Sequence, residues 1–116
     1  METSGGGYYS ASDHQWHNGS SVRIKQDVAP NKMDVLGILD GLEVFNYRYR
    51  SEVETDPAAP YHIGFVAEEA PELLTGKGRD SMAIGDCIGF LLGVVKEQQK
   101  TIDSLSARLE ALEKGR

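Results

Sequence analysis

The chain has 116 residues, 40% of them apolar, enough for one domain around one modest core. Acidic residues outnumber basic ones 18 to 12, and the net charge of -6 has no basic cluster to offset it, which argues against binding to a phosphate backbone. The single cysteine, Cys87, excludes an internal disulfide framework, and no apolar run approaches the ~18 residues of a membrane span. The opening "METSGGGYYS" does not read as a signal peptide, so the sequence predicts a soluble chain, intracellular at synthesis, with no nucleic-acid or membrane partner.

Residues 1–19, rich in Gly, Ser and aromatics, show no sustained period and read as a loop, or as the end of a preceding β-rich module or linker. His14 and His17 have H-x-x-H spacing, but no third ligand stands close by, so neither a metal nor any other cofactor is expected. Asn18-Gly19 reads as a turn. In "SVRIKQDV" the residues alternate, Val22, Ile24 and, less cleanly, Gln26 and Val28 falling on one face, which predicts a short strand. Pro30 and Asn31 are helix-start signals, Met33, Leu36, Ile38 and Leu39 follow at mixed helical spacing, and Gly41 is the expected stop. "EVFNYRYR" puts Phe45, Tyr47 and Tyr49 on one face of a predicted strand. "SEVETDPAAP" reads as an acidic loop. "YHIGFVAEEAPELL" reads as a strand over 63–66 that turns helical, and "TGKGRDS" as a Gly-rich connection.

The last segment carries the strongest periodicity. Ile88, Leu91, Val95, Gln98, Ile102, Leu105, Leu109 and Leu112 fall on heptad positions a and d over nearly four heptads, Gln98 being the one polar insertion. The predicted helix runs from about 82 to 114, with Asp80 or Ser81 as its cap and Lys114 and Arg116 at the negative end of its dipole. Arg108 at g and Glu113 at the following e can pair between parallel helices. β-branched residues at a with Leu at d lean towards a dimer, whereas Leu92 and Val94 widen the stripe towards a larger bundle or a covering layer. A helix of about 27 residues spans about 40 Å, too long for a domain this small to cover alone, so self-association is expected. The fold class is therefore α+β: a small strand-and-helix globular part, then a long C-terminal helix in an oligomeric coiled coil.

Ser20 precedes Lys25 by five positions. A serine hydroxyl is a weak nucleophile until a base takes its proton, and a lysine can serve when burial lowers its pKa. In an extended segment the two side chains stand too far apart to touch, so a bend or a neighbouring subunit's lysine is required. By itself the spacing is ordinary.

The order "SSVRIKQDV", an apolar helix, "VFNYRY", "HIGFVAEEAPELL" and "IGDCIGFLLGVVKEQ" resembles the intramolecular chaperone domain of phage tail spikes, tail fibres, neck appendages and endosialidases, the peptidase S74 family. Its entry motif S-D-x-R-x-K-x-x-I is similar to the stretch from Ser20 through Arg23 and Lys25 to Val28, and its G-F-[IV]-A-Q-E motif to Gly64, Phe65, Val66, Ala67, Glu68 and Glu69. Two positions depart from it: Ser21 stands where the family has Asp, and Glu68 where it has Gln. The resemblance implies a chaperone domain over residues 20–116, a homotrimer that guides assembly of a β-structured fibre N-terminal to it on the same polypeptide. It further implies a self-cleaving serine endopeptidase that cuts between Gly19 and Ser20, with Ser20 as nucleophile, Lys25 as general base, and Arg23 and Glu69 as supporting residues. Such a domain acts in the host cytoplasm during virion assembly and, once released, is absent from the mature fibre. The alternatives are a trimerisation module that does not cut, a coiled-coil scaffold, and a receptor-binding tip that exposes Tyr8, Tyr9 and Trp16.

Overall fold

The computed structural model describes residues 7–115. The chain divides into two compact units, Met1–Lys32 and Met33–Arg116.

The first unit is a β-hairpin followed by a turn. Strands β1 (Gly7–Ser10) and β2 (Gln15–Asn18) pair antiparallel, with Tyr8 opposite His17 and Tyr9 opposite Trp16. Both pairs bring rings together across the ladder, at centroid distances of 5.2 Å and 5.4 Å, and such cross-strand pairs stabilise a short hairpin. Asp13 organises the connection: its Oδ1 accepts from the Gln15 amide (3.1 Å) and its Oδ2 lies 2.8 Å from His17 Nε2. Partial desolvation raises the Asp13 pKa, but the hydrogen bonds from His17 and Gln15 outweigh it and leave the group below its usual value. The hairpin replaces the loop that the Gly/Ser-rich composition suggests. Four-residue strands are too short to show a period.

The strand expected from Val22 to Val28 does not form. Residues 22–24 are a turn, closed by the Ile24 amide on the Ser21 carbonyl (3.1 Å), and Asp27 sits at φ 56°. Val22 and Val28 are exposed, so the alternation has no partner strand to pack against.

The second unit begins with helix α1 (Val35–Asp40). Asp34 caps it by accepting from the Gly37 amide at 3.0 Å, so the helix starts later than Pro30 and Asn31 suggest, and Gly41 ends it as expected. Strands β3 (Phe45–Tyr47) and β4 (His62–Gly64) form an antiparallel pair, with Asn46 opposite Ile63. Between them the acidic segment read as a loop forms helix α2 (Arg50–Thr55) before it reaches Pro57. A 3-10 turn (Ala67–Glu69) and the single helical turn α3 (Glu72–Thr75) follow. Helix α4 (Ile84–Lys114) completes the chain.

Val35, Leu74, Phe90 and Val94 form the buried core, with Leu39, Phe65 and Cys87 packed against it. Burying side chains of this size contributes about 1.5–3 kcal/mol each, so four of them hold α1, α3 and the first half of α4 together. The start of α4 corrects one expectation. Ala83 is the N-cap and makes no side-chain cap bond; its amide instead donates to the Leu74 carbonyl (2.7 Å), while Ser81 Oγ donates to Thr75 O (3.3 Å). Lys114 lies in the last turn as expected, and Arg116 falls outside the described residues.

Helix α4 uses two adjacent faces differently. Cys87, Phe90 and Val94 face the chain's own core. The a/d residues do not: Ile88, Leu91, Val95, Ile102, Leu105, Leu109 and Leu112 are each 55–68% exposed, and Gln98 is exposed as well. From 98 to 115 every residue is exposed. No helix among the described residues is long and apolar enough to cross a membrane.

Candidate active site

The site is built from one reversal of the chain. Ser21 Oγ accepts from the Arg23 amide (3.1 Å) and from Arg23 Nε (3.3 Å), a side-chain bridge of the kind that sets turns. Together with the Ile24 amide on the Ser21 carbonyl, this folds residues 21–24 back on themselves. Lys25 thereby returns to Ser20, and its Nζ donates to Ser20 Oγ at 2.8 Å. The bend that the spacing requires is present within one chain. Both side chains are exposed in the single chain. Gly19, on the other side of the bond in question, is half-buried and directly follows the last residue of β2.

Arg23 thus serves the turn through Ser21, the position where the resemblance has Asp. A serine hydroxyl and a carboxylate can both accept the same two bonds, so this departure preserves the local geometry. Glu69 belongs to the second unit, exposed on the 3-10 turn, where its amide donates to Val66 O at 2.9 Å. Glu68 is exposed and Phe65 packs on the core. At Gly64 an added Cβ would stand 3.3 Å from Tyr47 Cε1, so the glycine lets β4 lie close to the tyrosine ring.

Two features escaped the sequence reading. Arg79, at φ 50°, donates from Nη2 to the carbonyls of Glu68 (3.0 Å) and Ala70 (2.6 Å) and so fastens the 3-10 turn. Tyr47, Tyr49 and His62 cluster: the two hydroxyls lie 3.2 Å apart, the Tyr rings meet edge-on at 5.2 Å, and His62 Nε2 lies 2.7 Å from Glu52 Oε1. The hydrogen bond to Tyr49, then partial burial and the nearby charges of Tyr49 and Glu52, raise the Tyr47 pKa. The aromatic alternation in "VFNYRY" is the signal that could have located the cluster; the Arg79 clamp has none, because its partners are backbone carbonyls. Burial first and Asp86 second raise the Cys87 thiol.

Among the described residues no three His, Cys, Asp or Glu side chains come together to hold a metal ion. His14 Nδ1 lies 3.5 Å from Tyr9 Oη, and His17 bonds Asp13, so the H-x-x-H pair is engaged within the hairpin.

The bonded Ser/Lys pair stands ahead in sequence of a small α+β unit that ends in a long helix. The family model of peptidase S74, described as the chaperone of endosialidase, matches residues 20–79, just over half of the 116-residue chain. The chain belongs to that family, and membership supports a chaperone role. The match starts at Ser20 and ends before α4. No curated protein and no solved structure matches the chain.

Proposed function

We propose that this chain is an intramolecular chaperone that trimerises through α4, directs assembly of a β-structured phage fibre or spike lying N-terminal to it, and then releases itself by cutting between Gly19 and Ser20. The observation that carries the reading is the 2.8 Å hydrogen bond between Lys25 Nζ and Ser20 Oγ, at the residue where the family match begins.

The chemistry follows from that pair. Ser20 Oγ attacks the carbonyl carbon of Gly19 as its proton passes to a neutral Lys25 amine. The peptide C–N bond breaks, the Ser20 nitrogen takes up a proton and becomes a free amine, and an ester joins Gly19 to Ser20 Oγ. Water then hydrolyses the ester, leaving a Gly19 carboxylate and a free Ser20 hydroxyl. An ammonium cannot accept the proton, and removal from water is what makes a lysine a base near neutral pH. Lys25 is exposed in the single chain, so its covering on assembly would be the trigger that ties the cut to the folded trimer.

The exposed a/d seam supports the oligomer. Three chains held in register raise one another's effective concentration, which lowers the cost of pairing fibre strands that are distant in sequence. The partners are therefore two more copies of the chain and the upstream region of the same polypeptide, and the setting is the host cytoplasm during virion assembly. The exposure of both Ser20 and Lys25 also favours a second reading, a trimerisation module whose pair is silent.

Intact mass under denaturing conditions, followed over days, tests the cut. A fragment beginning at Ser20, missing in Ser20→Ala, establishes it. Full-length mass in a trimer already attached to its upstream fibre leaves the silent module.

A further inference from the structure

Beside the seam, α1, β4 and α4 enclose an open cleft of about 260 Å³ in the second unit. Leu39, Leu42, Phe65, Met82, Cys87 and Leu91 are among the residues lining it, and the lining exposes no polar surface. An apolar cavity of about 150 Å³ accepts a benzene molecule. This one has room for a large aliphatic side chain, and nothing polar would find a partner there.

Three of the lining residues, Cys87, Phe90 and Leu91, belong to the helix that carries the seam. Leu91 is a d residue and Cys87 the g residue before Ile88, so the cleft opens onto the flank of the heptad stripe. In a parallel coiled coil a g residue meets the following e residue of its neighbour, five positions on. That rule sets Arg108 against Glu113 of the next copy, a pair of opposite charge. The same rule sets Cys87 against Leu92. Leu92 is 65% exposed in the single chain, an uncommon place for a leucine at a flanking position where charged residues are usual.

We infer that Leu92 of one copy plugs the apolar cleft of the next, beside Cys87, so that the globular part and the coiled coil form one continuous interface between copies of this chain. The inference rests on the parallel trimer proposed above. Charge complementarity at the C-terminal end and apolar complementarity at the N-terminal end follow from one register. The plug closes a ring: each chain gives one leucine and receives one.

The test uses the full chain and its single cysteine. Alkylation of Cys87 by N-ethylmaleimide is expected to be slow in the wild-type trimer, about tenfold faster in Leu92→Ala, and slow again in Leu92→Met, with sedimentation velocity reporting a trimer for each. A trimer in which Leu92→Ala leaves the Cys87 rate unchanged overturns the plug and leaves the trimer standing. A monomeric wild-type chain overturns both. Should Leu92→Ala dissociate, Leu92→Cys and a short bis-maleimide decide the matter. Positions 87 and 92 lie on different sides of their own helix, so the linker joins neighbours. Covalent trimers support the plug, and their absence from an assembled Leu92→Cys trimer refutes it.

Discussion

Lys25 reaches Ser20 because Ser21 folds the chain between them: the bridge from Ser21 Oγ to the Arg23 amide, 3.1 Å, sets the turn that returns Lys25 Nζ to within 2.8 Å of Ser20 Oγ. The bonded pair and the residue that shapes the turn all lie between Ser20 and Lys25, and each can be changed separately.

Lys25→Arg keeps a cation at the site but removes a side chain able to lose its proton. The rate of appearance of the fragment starting at Ser20 should fall by at least about 100-fold, the usual share of a general base, while sedimentation shows an unchanged trimer. A variant that cuts at the wild-type rate would remove Lys25 from the mechanism.

Ser21→Ala deletes the acceptor of both Arg23 bonds. A net hydrogen bond contributes about 0.5–1.5 kcal/mol, so the cut should slow by roughly 2- to 10-fold. Ser21→Asp, which can accept the same two bonds, should restore it. Equal slowing in both variants would show that the turn does not depend on this side chain.

Phe90 is buried against Val35, Leu74 and Val94. Phe90→Ala should destabilise the second unit by about 3–5 kcal/mol in chemical denaturation. Leu105→Glu should act in the opposite way: this exposed seam residue leaves the single chain's helical circular dichroism in place but prevents trimer formation. A trimer that survives Leu105→Glu would disconnect the heptads from assembly.

The raised pKa of Tyr47 predicts an alkaline effect. A folded value above the unfolded one, about 10, means that the neutral phenol is the form the fold prefers. The stability it contributes is complete below the unfolded value and is lost as pH rises through the folded one. Tyrosinate absorbance should show one late-titrating tyrosine, and Tyr49→Phe should shift that titration downwards by removing the first cause of the rise.

Legibility in the sequence followed the length of each pattern. Helix α4 carries nearly four heptads, so its extent could be read to within a few residues, and its exposed seam lies where the heptads put it. Neither Asp80 nor Ser81 caps it, because a backbone bond from Ala83 to Leu74, not a side-chain cap, secures its start. Val22, Ile24 and Val28 alternate as a strand would, yet no neighbouring strand pairs with them, and the local bonds of Ser21 prevail. The hairpin was hidden for the opposite reason, since four residues are too few to display a period and its ring pairs appear only across strands. Ser20 and Lys25 stand out in the sequence only through the motif they sit in. Their contact could not be read from a spacing of five, because it depends on a turn that the alternation argued against.

The place of the hairpin decides what a cut would leave behind. Asn18, the last residue of β2, pairs with Gly7, and the bond between Gly19 and Ser20 comes one residue after it. Scission there would set the new carboxylate one residue beyond a strand already knotted back onto its neighbour by two aromatic rungs. The departing upstream product would finish in a hemmed edge instead of a loose thread, giving an exopeptidase little slack to grip.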